Sequence, residues 1–169
     1  MKRADSIIVI DPEEFIRDLL GEYFGRLGYQ VFPVADIPTA LGLITSRAIP
    51  VALVDLGVSP GRGMASIGQL VQVRPDLQVV VLTGCPTLDS VIGAFRSGVF
   101  DLVIKPFRLE DLRGIVERAM TRAREQAVKA DLRRRVEDLE DILRRHGLTP
   151  PANERHFAEP HEAVREASE

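Results

Sequence analysis

The chain has 169 residues and a formal net charge of −3, with 45% hydrophobic and 28% charged residues. These values are ordinary for one globular domain with a smaller addition, and the charge gives no reason to expect nucleic acid or an anionic membrane as the main partner. The single cysteine, Cys85, excludes a disulfide framework and a cysteine-rich metal site, and no apolar run approaches the roughly 18 residues of a membrane span.

Five short apolar runs predict five β-strands. The runs are IIVI (7–10), QVFPV (30–34), VALVD (51–55), QVVVLT (78–83) and DLVIK (101–105). Three of them consist almost entirely of Val, Ile and Leu, a composition typical of strands that are buried on both faces, as in a parallel sheet.

Apolar residues that recur every three or four positions predict five helices, one after each strand. These segments are 15–28, 35–47, 64–73, 87–98 and 109–120. Asp36 is a candidate N-cap of the second helix, which has proline in its first turn. The alternation predicts an α/β domain of about 120 residues, with helices on both sides of a parallel sheet.

The first predicted strand ends on an acid, Asp11, and Pro12 follows directly. Proline is well tolerated at the first position of a helix, and aspartate is a common N-cap. We therefore expect Asp11 to cap the first helix and Pro12 to occupy its first position, beside any role of Asp11 in a site.

The last helix is expected to continue without a break to about residue 146. The segment 121–147 has no proline and no strand pattern, and opposite charges stand four residues apart, as in Glu140 and Arg144. Four apolar residues alternate steps of four and three and form one seam: Leu132, Val136, Leu139 and Leu143. This seam predicts a coiled-coil dimer; two alternatives are that it packs back on its own domain or contacts a different protein.

Four polar residues end predicted strands: Asp11, Asp55, Thr83 and Lys105. In an open parallel sheet, ligands bind at the carboxyl ends of the strands. A carboxylate can act as a nucleophile toward a phosphoryl group, and a hard cation held by oxygen ligands can neutralise the phosphoryl charge. A lysine and a hydroxyl can contact the new phosphate, so these four residues indicate phosphoryl transfer.

The stretches IIVID, VALVDLGVSPGRG, VVVLTG and FDLVIKPF resemble, in order and spacing, the receiver domain of two-component response regulators. The resemblance covers residues 6 to about 121. It implies a flavodoxin-like, doubly wound five-stranded parallel sheet of order 2-1-3-4-5, here with an extended C-terminal helix. With the segments that follow, it predicts a receiver domain at 5–121, a helical extension at 122–147 and a disordered polar tail at 148–169.

The resemblance also implies that a histidine kinase or a phosphotransfer protein phosphorylates this domain, which binds Mg²⁺. The implied site residues are the phosphoacceptor Asp55, the metal ligands Asp11, Asp55 and the backbone carbonyl of Gly57, the phosphate-binding or switch residues Thr83, Gly84 and Lys105, and a cis peptide bond before Pro106.

Two positions depart from the family pattern. Pro12 stands where the family has a second acid, so we expect weak Mg²⁺ binding, with the longer side chain of Glu13 as a candidate replacement ligand. Leu102 stands where the family has Tyr or Phe, and Phe100, two residues earlier, is expected on the same face as Leu102. These departures favour an alternative function, a degenerate receiver that binds proteins without phosphorylation.

An enzyme or a histidine metal site fits the sequence less well. A haloacid-dehalogenase-like phosphatase needs a second aspartate two residues after its nucleophile, whereas Asp11 and Asp55 are followed there by Glu13 and Gly57. We therefore expect no enzyme activity beyond self-dephosphorylation. Metal binding is not expected of the three histidines, which lie at a helix end and in the polar tail: His146, His156 and His161.

The expected partners are a sensor histidine kinase or phosphotransfer protein, a downstream protein and a second copy of the chain, without direct nucleic-acid or membrane binding. Unless the chain is a fragment of a longer regulator, the residues after 120 leave no room for a helix-turn-helix. The N-terminus shows no signal peptide, so we expect a cytoplasmic location. The thiol of Cys85 is expected to be buried as a small apolar group.

Overall fold

The computed structural model describes residues 5–58 and 63–148, and a five-stranded sheet forms its centre. The strands are β1 (Ser6–Ile10), β2 (Gln30–Val34), β3 (Val51–Asp55), β4 (Gln78–Thr83) and β5 (Asp101–Ile104). Their order is β2-β1-β3-β4-β5, and every neighbouring pair is parallel. The flavodoxin-like, doubly wound fold expected from the sequence is thus confirmed.

Helices cover both faces of the sheet. They are α1 (Glu14–Arg26), α2 (Ile37–Ser46), α3 (Gly63–Val73), α4 (Leu88–Arg96) and α5 (Leu109–Arg145), with a short 3₁₀ helix (Leu56–Val58) after β3. Because successive strand residues point to opposite faces, Ile8 of β1 joins a core with α2, α3 and α4, and Ile7 joins a core with α1 and α5. All residues of β3 and β4 are buried, as their apolar sequences predict.

Local sequence signals determine the starts of two helices. Asp36 caps α2 as predicted: its carboxylate accepts a 2.8 Å hydrogen bond from the Thr39 N–H, which holds the pKa of Asp36 below its usual value. In α4, the side chains of Thr87 and Ser90 each accept a hydrogen bond from the other's backbone N–H, forming a capping box.

The predicted start of α1 is wrong. The helix begins at Glu14, two residues after Pro12, and its N-cap is Glu13. The Asp11 carboxylate accepts a 2.9 Å hydrogen bond from the Glu13 N–H, in a turn that precedes the helix. The other carboxylate oxygen of Asp11 accepts a hydrogen bond from Lys105, so a residue distant in sequence competes with the helix for the Asp11 side chain.

Helix α5 is continuous over 37 residues, as predicted. Its first part packs on the sheet through five buried residues, Leu112, Val116, Ala119, Met120 and Ala123. Beyond them, Gln126 accepts a 2.7 Å hydrogen bond from the side chain of Gln78, and Arg124 forms an ion pair with Asp5. Tertiary contacts with the sheet therefore continue past residue 121, where the receiver domain was predicted to end.

Contacts divide the chain into two compact units, one ending at Lys129 and the next beginning at Ala130. In the second unit, Leu132, Val136 and Leu139 of the predicted seam are more than half exposed. The fourth seam residue, Leu143, is half-buried. Among the described residues, no helix is both long and apolar enough to span a bilayer. The tail was predicted at 148–169; apart from Leu148, it lies outside the described residues, and so do His156 and His161.

Two further predictions of side-chain position are wrong. Cys85 is exposed rather than buried, because it lies in the loop after β4 and not in the strand. Phe100 packs in the core with α1 and α5, whereas Leu102 packs in the core with α2, α3 and α4. Phe100 precedes β5, so the alternation of a strand does not apply between these two residues.

Candidate functional site

The polar residues predicted to end strands lie together at the carboxyl edge of the sheet. Asp11 directly follows β1, and Lys105 directly follows β5. Asp55 and Thr83 are the last residues of β3 and β4. Parallel topology brings these positions to one edge, and three of them are shielded from water: Asp11 is 0%, Thr83 4% and Asp55 8% exposed.

The ammonium of Lys105 lies between two carboxylates. Its Nζ is 2.8 Å from Asp55 Oδ1 and 2.9 Å from Asp11 Oδ2, and 3.8 Å from Glu13 Oε1. Burial by itself lowers the pKa of Lys105, but hydrogen bonds to Asp55 and Asp11 and the attraction of both charges outweigh burial and raise that pKa. The lysine is therefore protonated at neutral pH and holds two like charges together.

The second carboxylate oxygen of Asp55 accepts a hydrogen bond from the backbone. The Gly57 N–H donates to Asp55 Oδ2 over 2.6 Å. A Cβ at position 57 would lie 2.6 Å from the same oxygen, so glycine permits this close approach. Both oxygens of the carboxylate are thus positioned, with Oδ1 toward Lys105 and Oδ2 toward the loop after β3.

Sequence reasoning missed one residue of this region, Arg17. Its Nη1 donates to the backbone carbonyls of Asp11 and Pro12, over 2.8 and 2.9 Å. A cation near the start of a helix is unfavourable beside the positive end of the helix dipole, and this is the signal that could have identified it. The guanidinium holds the segment between β1 and α1, whose N-cap, Glu13, makes no side-chain capping bond.

Thr83 and Gly84 lie beside the cluster of acids and lysine. The backbone N–H of Lys105 donates to the Thr83 carbonyl over 2.7 Å, and the Thr83 hydroxyl accepts a 3.3 Å hydrogen bond from the Cys85 N–H. A Cβ at Gly84 would meet no described atom within 4 Å, so space is open next to the threonine. The peptide bond between Lys105 and Pro106 is cis.

The donor set of the cluster suits magnesium. Asp11 and Asp55 both contact one nitrogen, so their oxygens converge on a small volume. In proteins, Mg²⁺ is usually bound by one or two carboxylates together with water and phosphate oxygens. Over residues 5–58 and 63–148, no three His, Cys, Asp or Glu side chains form a metal-binding group. The carboxylates nearest to Lys105 Nζ are those of Asp11 and Asp55, and Glu13 Oε1 is farther away at 3.8 Å.

The fold and this cluster of two acids, a threonine and a lysine define a receiver-type domain. The chain belongs to the response regulator receiver domain family, whose model matches residues 7–117. Domains of this family are generally phosphoacceptors rather than classical enzymes, and they typically bind Mg²⁺ for phosphorylation.

The relatives include a protein that this chain spans almost completely and longer regulators that it spans only in part. The DNA-binding transcriptional regulator NtrC of Azospirillum brasilense is 29% identical over 117 residues, which are 69% of this chain and 24% of NtrC. Sporulation initiation phosphotransferase F of Bacillus subtilis is 25% identical over 114 residues, which are 68% of this chain and 92% of that protein. The chain therefore spans about a quarter of the length of NtrC and nearly all of the phosphotransferase.

Solved structures support the same fold. The crystal structure of NtrX from Brucella abortus in complex with ADP is 29% identical, with a TM-score of 0.69 over 77% of this chain and 30% of NtrX. The signal receiver domain of an HD domain-containing protein from Pseudomonas fluorescens Pf-5 has a TM-score of 0.68 over 73% of this chain and 99% of that domain. At 22% identity, the second likeness concerns the fold alone.

Proposed function

We propose that this chain is a receiver that accepts a phosphoryl group on Asp55 from a histidine kinase or a phosphotransfer protein. The observation that carries the proposal is the position of Lys105, whose Nζ lies 2.8 Å from Asp55 and 2.9 Å from Asp11. A lysine between two shielded carboxylates at the carboxyl edge of a parallel sheet can pair with a phosphoryl group as soon as one carboxylate carries it.

In the proposed reaction, Asp55 Oδ1 forms a bond to phosphorus while the bond from phosphorus to the donor breaks. Oδ2 becomes the carbonyl oxygen of the acyl phosphate and keeps its hydrogen bond from the Gly57 N–H. Lys105 then pairs with a phosphoryl oxygen, and the Thr83 hydroxyl donates to another. Gly84, which follows Thr83 directly, is the proposed third phosphate-binding residue of this edge.

The proposed metal ligands are the carboxylates of Asp11 and Asp55 and the backbone carbonyl of Gly57. When bound there, Mg²⁺ neutralises the charge of the phosphoryl group. Pro12 brings no ligand, so the proposed affinity is weak; Glu13 is a supplementary ligand whose side chain is 66% exposed and 3.8 Å from Lys105 Nζ.

The test is labelling with a small phosphodonor, such as acetyl phosphate, in the presence of Mg²⁺. We expect intact-mass spectrometry to show one phosphoryl group on the natural chain and none on Asp55→Asn. Asp138→Asn is the matched control, because Asp138 is an exposed residue of α5 in the second compact unit. Label that persists in Asp55→Asn would place the phosphoacceptor elsewhere.

The second candidate function is a degenerate receiver that binds proteins without phosphorylation. Two observations favour it: Pro12 replaces an acid of the family pattern, and Leu102 packs in the core where the family has an aromatic residue that reorganises. In this case neither a phosphodonor nor a histidine kinase labels the natural chain at any Mg²⁺ concentration, while a partner protein still binds.

We also propose that the output runs through protein contacts in the cytoplasm, with a second copy of this chain as one partner and no direct nucleic-acid contact. The seam consists of Leu132 and Leu139 at d positions and Val136 and Leu143 at a positions. In a parallel pair, Arg135 at g would face Glu140 at e of the other copy, with opposite charge. A seam of two heptads supports a modest affinity.

A further inference from the structure

Arg17 is a cation bound to the backbone of the phosphoacceptor site. One nitrogen, Nη1, donates to two consecutive carbonyls, those of Asp11 at 2.8 Å and Pro12 at 2.9 Å. Its side chain is half-buried, and its own N–H donates to the Glu13 carbonyl at 3.2 Å, in the first turn of α1. The guanidinium is thus held at the residue that replaces the family's second acid.

The distance from this guanidinium to the Asp11 carboxylate is short. A carbonyl oxygen and the carboxylate of the same aspartate are separated by about 4 Å, and Nη1 is 2.8 Å from that carbonyl oxygen, so Nη1 lies at most roughly 7 Å from the carboxylate. This separation is below the Debye length of about 8 Å at physiological salt. A cation that approached Asp11 and Asp55 would therefore be repelled by Arg17 as well as by Lys105.

We propose that Arg17 lowers the affinity of the site for divalent cations through its charge, and that this effect adds to the loss of an acid at Pro12. The inference deepens the proposed function, since the cation site is the proposed phosphoacceptor site. A charge of +1 and an ion of +2 at roughly 7 Å repel enough in a water-like dielectric to weaken binding about fivefold at low ionic strength, and about twofold at physiological salt. If Arg17 acted only through its hydrogen bonds to the two carbonyls, it would raise the affinity for the cation, because those bonds order the loop and an ordered loop favours metal binding.

Two substitutions separate charge from hydrogen bonding. Arg17→Gln removes the charge and keeps an amide donor, whereas Arg17→Lys keeps the charge on a different donor. Arg26→Gln is the matched control, because Arg26 lies at the other end of α1 in an exposed pair with Glu22. Binding of Mn²⁺, a hard oxygen-seeking cation, is measured on the full chain from the EPR signal of the free ion, with thermal melts to verify folding.

In a buffer of about 10 mM ionic strength, we expect Arg17→Gln to bind Mn²⁺ about fivefold more tightly than the natural chain, and Arg17→Lys and Arg26→Gln to stay within about twofold. The gain should shrink in about 1 M KCl, where the Debye length falls to about 3 Å. The inference is overturned if Arg17→Gln binds Mn²⁺ no more tightly than the natural chain, or does not bind it. It is also overturned if Arg17→Gln and Arg17→Lys change the affinity equally. If Arg17→Gln binds more tightly but Asp55 is never phosphorylated, the proposed function fails and this inference stands.

Discussion

Lys105 holds together two carboxylates that water hardly reaches. The Asp11 side chain is 0% exposed and the Asp55 side chain 11%, and an unpaired charge at such depth is costly. The lysine side chain is itself only 18% exposed, and its ion pairs hold both acids at one edge of the sheet. The site therefore depends on Lys105, because no other described cation pairs with Asp11 and Asp55.

The pKa of Lys105 leads to a prediction about alkaline stability. Because the carboxylates raise this pKa above its ordinary value of 10.5, the lysine's contribution to stability is complete below pH 10.5 and is lost as pH rises through the higher folded-state pKa. We expect Lys105→Met to lower the free energy of unfolding by about 3 kcal/mol at pH 7. This difference should shrink only above pH 10.5.

Urea unfolding of both proteins between pH 7 and 11.5 measures this difference. Lys129→Met is the control, because Lys129 is exposed on α5, and it should change stability little at any pH. A difference for Lys105→Met that is already declining at pH 8 would contradict the assignment of the raised pKa.

The helices are joined at their ends as well as through the core. Arg74, just after α3, donates from Nη1 to the carbonyl of Ile44 at 2.8 Å and to that of Arg47 at 3.3 Å, at the end of α2. The same guanidinium pairs with Asp76 at 2.9 Å, and this hydrogen bond holds the pKa of Asp76 below its ordinary value. One side chain thus satisfies carbonyls that the end of α2 leaves without helical partners.

We expect Arg74→Met to destabilise the fold by about 1–3 kcal/mol, because it leaves the partly buried carbonyl of Ile44 without its donor. The part of this stabilisation that comes from the pair with Asp76 is present above pH 3.8 and is lost as pH falls further, because the pKa of Asp76 is lower in the folded protein than in the unfolded chain. Chemical denaturation at pH 7 and pH 3 measures both parts. Arg96→Met, at the exposed end of α4, is the control. An equal loss of stability in Arg96→Met would show that the charge of Arg74, and not its hydrogen bonds to the carbonyls, stabilises the fold.

For the whole molecule, the question is what the second half of α5 contacts. Leu132, Val136 and Leu139 are 56%, 53% and 60% exposed, and apolar stripes of this kind in soluble proteins usually mark an interface. Within the same unit, Arg135 pairs with Asp131 at 2.9 Å and Arg144 with Glu140 at 3.3 Å, so these charges support the helix itself.

We expect light scattering of the full chain to show a monomer–dimer equilibrium in the micromolar range, and a version ending at Lys129, where the first compact unit ends, to be a monomer. Leu132→Ser with Leu139→Ser should abolish the dimer, because both d positions lose their apolar side chains. Arg134→Ser with Asp141→Ser, at f positions and without change of net charge, is the matched control. A full chain that stays monomeric at high micromolar concentration, with and without phosphodonor, would show that the seam is not a dimer interface.

Much of this protein follows from local sequence. Continuous Val, Ile and Leu runs predicted the strands, since a strand in a parallel sheet is buried on both faces, and Asp36 predicted the start of α2 because an N-cap acts within one turn. The convergence of Asp11, Asp55, Thr83 and Lys105 was also predictable, because parallel strands place their carboxyl ends at one edge.

Only the tertiary structure decided which partner each of these side chains takes. Asp11 was expected to cap α1, but a lysine 94 residues further along the chain binds one of its oxygens. The side chain of Phe100 likewise packs against helices whose position no local pattern locates. Short-range signals act through a few consecutive residues, whereas competition among partners for a buried polar group is settled only when the sheet has brought them together.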